Sequence, residues 1–193
     1  MIDERHYRFF KWTAVLLALL WVGWTVYDGV LSQRGPGDNA ALAGDRAFSD
    51  GHLERAEQRY REALDAEPGH VHALRGLALA LLEQGEHEQA LAKLNQAIER
   101  EPDFAGNYAN RGILHDRMGE HLAALHDYER ALVMNPDLAD GPGWFTRFIR
   151  LQADPPPTIA DRADYLRHQF ELPEEQREWL RPEEDADQRA WRQ

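Results

Sequence analysis

The sequence predicts an all-α chain: an N-terminal transmembrane helix, then a solenoid of three helix–turn–helix units closed by C-terminal capping helices. Three observations carry that prediction. Pro68, Pro102 and Pro136 recur every 34 residues, and Gly51, Gly85 and Gly119 keep the same interval. So do Ala56, Ala90 and Ala124, and Ala63, Ala97 and Ala131. A fixed period of this size marks stacked supersecondary units. Residues 12–27 form a run of sixteen without a charge. Between the prolines and glycines, apolar residues recur at the three- and four-residue spacing of one helix face.

Composition narrows the function classes. The 193 residues allow one modest domain with appendages. Asp and Glu number 34 against 22 Lys and Arg, a formal net charge of −12. An acidic chain without a basic patch argues against nucleic acid, which binds through clustered cations. There is no cysteine, which excludes disulfides, thiolate zinc sites and cysteine nucleophiles.

The N-terminal segment reads as an uncleaved anchor. At about 1.5 Å per residue the uncharged run covers roughly 24 Å, and Phe9, Phe10, Val30 and Leu31 lengthen it toward the ~30 Å of a hydrocarbon core. Trp12, Trp24 and Tyr27 suit the interfacial belt. A cleaved signal peptide requires small residues before its cut site, where this chain has Tyr27, Asp28 and Gly29. Arg5, Arg8 and Lys11 precede the run and Arg34 alone follows it closely. The positive-inside rule therefore puts residues 1–11 in the cytoplasm, the anchor at 12–31 and the repeats on the far side. In a bacterial inner membrane that side is the periplasm. Residues 32–37, polar and rich in glycine and proline, form the linker.

The units follow as 38–68, 69–102 and 103–136. In the second, Leu74, Leu77, Ala78 and Leu81 line one helix, Gly85 breaks it, and Ala90, Leu91, Leu94, Ala97 and Ile98 line the next before Pro102. The third repeats this with Tyr108, Gly112, Gly119, Ala124, Leu125, Tyr128, Ala131 and Leu132. Small residues at Gly44, Ala78 and Gly112 let paired helices approach to about 8–10 Å.

This pattern resembles the tetratricopeptide repeat family, over about residues 38–136. The third unit is the closer match, with Tyr108 where tryptophan is usual. The first departs most, since Ala40, Ala43 and Ala47 replace bulky residues, as terminal repeats often do. The resemblance implies a right-handed solenoid whose first helices line a groove for a peptide or helix of another protein. Carried over by position, the groove residues are Phe48, His72, Arg75, Leu79, Leu82, Glu83, Asn110, Ile113, Asp116 and Arg117, with Ala41, Asp45 and Ala109 beside them. Asn110 matches a position that in many such repeats contacts the ligand backbone. The cluster of cations that clamps a C-terminal carboxylate is missing, so a mixed groove with an apolar floor is expected.

Beyond the third unit, residues 137–154 are expected to form a capping helix through Trp144, Phe145, Phe148, Ile149 and Leu151. Residues 155–193 are expected to be a helical tail. Thr158 with Asp161 reads as a capping box opening a helix with Ile159, Arg162, Ala163, Leu166 and Phe170 along one side. Pro173 and Pro182 suit the first turns of further short helices. Tyr165, Leu166, Phe170, Trp179, Leu180 and Trp191 are too many bulky residues for a disordered extension, and either pack on the repeats or form a second docking surface.

No chemistry is expected. The sequence has no G-x-S-x-G, P-loop, G-x-G-x-x-G or H-E-x-x-H. Nine histidines are present, but His52, His87 and His121 fall just after the repeat glycines and read as exposed turn residues rather than metal ligands. The expectation is a non-enzymatic scaffold without cofactor or metal, holding a segment of another membrane or envelope protein and no nucleic acid. Single-span proteins of this architecture in cytochrome c maturation hold apocytochrome, one alternative. A structural subunit whose groove is filled by its own tail is another.

Overall fold

The computed structural model describes residues 4–27, 35–140 and 157–179. Residues 141–154 of the expected capping helix, with Trp144, Phe145, Phe148, Ile149 and Leu151, lie outside the described residues, as do residues 1–3, residues 28–34 of the anchor end and linker, and the tail residues 155–156 and 180–193, with Leu180, Pro182 and Trp191.

The described residues form eight α-helices and two 3-10 turns, with no strand among them. They are α1 (Glu4–Val26), α2 (Asp38–Ser49), α3 (Leu53–Ala66), α4 (Val71–Glu83), α5 (His87–Arg100), α6 (Ala105–Arg117), α7 (His121–Met134) and α8 (Ile159–Glu171). The turns span Pro136–Ala139 and Glu174–Gln176. The helix of the anchor begins earlier than the uncharged run, at Glu4. Its stretch Phe9–Val26 has a mean hydropathy of 1.6, is covered by nothing else in the structure, and is long and apolar enough to cross a membrane.

Helices α2 and α3, α4 and α5, and α6 and α7 pack as antiparallel pairs, and α3 on α4 and α5 on α6 join one pair to the next. Each pair turns on its glycine. Gly51, Gly85 and Gly119 adopt φ of 78°, 80° and 77°, a left-handed conformation that glycine alone reaches without strain. In the first turn Gly51 N–H donates to Phe48 O at 3.1 Å and His52 N–H to Ala47 O at 2.8 Å. The other two turns repeat this bonding, which satisfies the last carbonyls of the helix.

Aromatic rings explain the small residues. A Cβ at Gly44 would stand 2.6 Å from the Tyr60 ring and one at Gly112 2.7 Å from the Tyr128 ring. The second unit has Leu94 where the others have tyrosine, and there Ala78 replaces the glycine. Tyr60 is also met from the next unit: a Cβ at Gly76 would stand 2.3 Å away. The core runs through these contacts, with Leu77, Leu81, Leu94, Ile113, Leu114 and Tyr128 fully buried.

Helix α8 opens with the expected capping box: Asp161 N–H donates to Thr158 Oγ1 and Thr158 N–H to the Asp161 carboxylate. It packs on α7 and on the Pro136–Ala139 turn, burying Ile159, Ala163 and Leu166. Phe170 and Trp179 lie half-buried against the core, their rings 5.0 Å apart. Pro173 precedes the second 3-10 turn rather than an α-helix.

Candidate partner-binding groove

Residues 72, 75, 76 and 79 share one face of α4 by helical spacing, and His72, Arg75, Gly76 and Leu79 form one wall of a cavity of about 240 Å³. Asp45, Phe48 and Ser49 from α2, Tyr60 from α3, and Phe104 and Asn110 at and within α6 complete it. Three consecutive units thus contribute to one depression. Its floor is apolar, through Phe48, Leu79 and Phe104, and its rim is charged.

The rim is held by specific bonds. Tyr60 Oη donates to Asp45 Oδ1 at 2.8 Å, and His72 Nε2 lies 2.8 Å from Asp45 Oδ2. That bond raises the pKa of His72 above its ordinary 6.5, against the opposing effect of burial. For Asp45, burial pushes the pKa up, yet the bonds from His72 and Tyr60 outweigh it and leave the value below 3.8. Arg75 reaches Glu101 at 3.0 Å and sits over the Phe104 ring, 4.3 Å from its centroid.

The structure divides the residues that the resemblance implied. Phe48, His72, Arg75, Leu79 and Asn110 converge on this cavity. Leu82 and Ile113 do not line it: they lie within the hydrophobic core, 1% and 0% exposed. Glu83 and Arg117 pair with each other at 3.2 Å. Asp116 is buried and held from the tail, with Arg162 Nε donating at 2.6 Å and Nη2 at 2.9 Å. The sequence pattern does not reveal Phe104 or Tyr60 as cavity residues. Phe104 precedes the first residue of α6, outside the period that marks inward positions, and Tyr60 reads from its spacing as a core residue only.

A second concavity, wider and about 920 Å³, lies at the turn between α6 and α7, where Leu122, Phe170 and Trp179 supply its apolar surface. Beneath it Arg111 donates to both oxygens of Asp127 at 2.7 and 2.8 Å and to Asn95 Oδ1 of the preceding unit at 2.8 Å. His115 Nδ1 lies 2.6 Å from a Glu120 oxygen. The bond to Asp127 raises the Arg111 pKa. His121 corrects an expectation: instead of an exposed turn residue it stacks on Trp179, ring centroids 4.7 Å apart, with Nδ1 2.9 Å from Asp116 Oδ1. Larger as it is, this surface draws only on the third unit, through α6, α7 and the turn between them, and on the tail. The smaller cavity joins three consecutive units and sets Asp45, His72 and Arg75 beside an apolar floor, the arrangement that fixes a bound group's orientation. Among the described residues, no group of three or more His, Cys, Asp or Glu could hold a metal ion.

Comparison with known proteins agrees with this architecture. Residues 42–105 match the family described as tetratricopeptide repeat. No curated protein matches the chain significantly. Among solved structures, the tetratricopeptide domain of Sgt2 from Aspergillus fumigatus superposes with a TM-score of 0.53 at 19% identity, over 72% of this chain and 88% of that one. The first such domain of Spaghetti (RPAP3), bound to an HSP90 peptide, gives 0.51 at 21% identity over 61% and 90%. The TPR2B domain of yeast Sti1 in its Hsp70 complex gives 0.51 at 23% identity over 60% and 91%. The chain folds as an array of tetratricopeptide repeats.

Proposed function

Taking a tetratricopeptide repeat array as premise, we propose that this protein is a non-enzymatic, membrane-anchored scaffold whose inner-face cavity holds a segment of another envelope protein. The observation that carries the reading is the cavity itself. Three consecutive units place Phe48, Leu79 and Phe104 under a rim of Asp45, His72 and Arg75. Of the superposed domains, one is bound to an HSP90 peptide and another is in complex with Hsp70, which supports a protein segment as occupant. In this reading the repeats 38–68, 69–102 and 103–136 are presented in the periplasm by a single span with its N-terminus inside. The flanking charges Arg5, Arg8 and Lys11 support that orientation, and the span's apolar length supports the anchor. Tethering raises the effective concentration of partners in the same bilayer.

The described tail does not favour a groove filled by the chain itself. Helix α8 and Trp179 pack on α7 and Asp116 at the end of the array, and no residue of 157–179 lines the inner cavity. Apocytochrome is one candidate occupant among envelope proteins. Affinity capture from detergent-solubilised membranes tests the proposal. Wild type is expected to retain a partner that Leu79→Glu loses while its helical circular dichroism persists. Equal retention by both would refute the groove, and a C-terminal reporter active only in the cytoplasm would refute the orientation.

A further inference from the structure

Resting on the groove reading above, we propose that the inner cavity selects a segment with an arginine or lysine beside a large apolar side chain, not a free C-terminal carboxylate. The cavity's size sets the first half of that preference. At about 240 Å³ it falls below the roughly 300–1,000 Å³ of small-molecule sites, and suits one large side chain laid over Phe48, Leu79 and Phe104.

Charge sets the second half. The arginine that lines the cavity is engaged: Arg75 binds Glu101 at 3.0 Å and covers the Phe104 ring. A carboxylate entering here would have to break that ion pair while facing Asp45 and Glu101. A cation meets the opposite situation. Asp45 is more than a third exposed, and its oxygens take their bonds from a phenol and an imidazole, Tyr60 at 2.8 Å and His72 at 2.8 Å. When His72 is neutral no full positive charge sits on this carboxylate, which has room for a further donor. The net charge of −12 on the whole chain adds a long-range attraction for basic segments.

The same geometry makes recognition depend on pH. Asp45 is faced by Tyr60 from α3 and by His72 and His70 at and within α4; His72 is faced in turn by Arg75 of α4 and Asp38 of α2, and Asp38 is bonded to His70 at 2.8 Å. Protonating His72 supplies the cation that a partner otherwise brings, so basic segments are displaced in acid.

The test uses the full-length protein in detergent micelles on a synthetic array of short randomised peptides, each with a free and an amidated C-terminus. The bound set is expected to be enriched in Arg or Lys next to Phe, Leu, Tyr or Trp, and indifferent to amidation. Binding should weaken below the titration of His72, and Asp45→Asn, which keeps the bond from Tyr60, should lower affinity about tenfold without changing helical circular dichroism. Bound peptides that are acidic, that require a free carboxylate, or that ignore Asp45→Asn would overturn this inference and leave the groove standing. Failure of the wild type to retain any peptide would overturn both.

Discussion

Tyr60 joins two structural roles through one bond: its ring fills the seam between the first and second units, and its hydroxyl donates to Asp45 of the inner cavity at 2.8 Å. The ring lies where a Cβ on Gly44 would come within 2.6 Å and one on Gly76 within 2.3 Å. Packing between units and placement of the groove carboxylate are therefore coupled.

Gly76→Ala tests that seam. The added methyl meets a ring that is closed in from both sides, and overpacking of this kind costs about 1–3 kcal/mol. Urea denaturation should show that loss, and combining it with Tyr60→Leu should recover some of it, because one period on, where Leu94 stands in place of Tyr60, the position of Gly76 is held by the larger Asn110. A fully additive double variant would show that the ring is not the obstacle.

The Asp45–His72 pair gives stability a definite pH dependence. His72 is held above 6.5 chiefly by its bond to Asp45, so its contribution is complete below about pH 6.5 and disappears as the pH rises through its folded value. Asp45 lies below 3.8, so its contribution is present above about pH 3.8 and lost as the pH falls through its folded value. The stability difference between wild type and His72→Gln should be largest at about pH 5 and shrink toward about pH 8. Denaturation midpoints across that range check it.

Arg111 and Asp127 occupy an interior where the second unit carries Leu77 and Lys93. Asp127 is buried and receives a bidentate bond, while Arg111 is partly exposed and keeps its bond to Asn95, so Asp127→Ala should cost about 1–3 kcal/mol. Arg111→Leu combined with Asp127→Leu removes both charges and should cost much less. Thermal denaturation of the single and double variants separates the two terms.

Arg162 fastens the tail. Its guanidinium donates to both oxygens of Asp116 and to Trp179 O at 2.7 Å. Arg162→Met should release Trp179 from His121 and raise hydrogen exchange throughout α8 by about tenfold or more, as expected for loss of a bond worth at least ~1.4 kcal/mol. Exchange in α4 and α5 should not change.

Much of the fold was legible because it depends on local chemistry. The interval of 34 residues is set by turn glycines that must reach positive φ and by prolines that stop helices, and Thr158 with Asp161 announced α8 by satisfying its first N–H groups. The groove was less legible. Periodicity shows that a residue points inward, but not how deeply, and Leu82 and Ile113 share the phase of Leu79 while lying entirely within the core. Phe104 owes its place to the chain's path between α5 and α6. The bond from Arg162 to Asp116 joins residues 46 positions apart, and the stack of Trp179 on His121 reaches further still, beyond any local pattern.

Site-specific crosslinking distinguishes an inner cavity that holds a partner from one that does not. A photoreactive residue replaces either Phe48, in the inner cavity, or Val133, which is 83% exposed on α7, in the full-length protein within native membranes. The account predicts that position 48 yields a discrete crosslinked partner, abolished by Leu79→Glu, while position 133 does not. Crosslinks to the same partner from position 133 alone, or from position 48 regardless of Leu79→Glu, would contradict it.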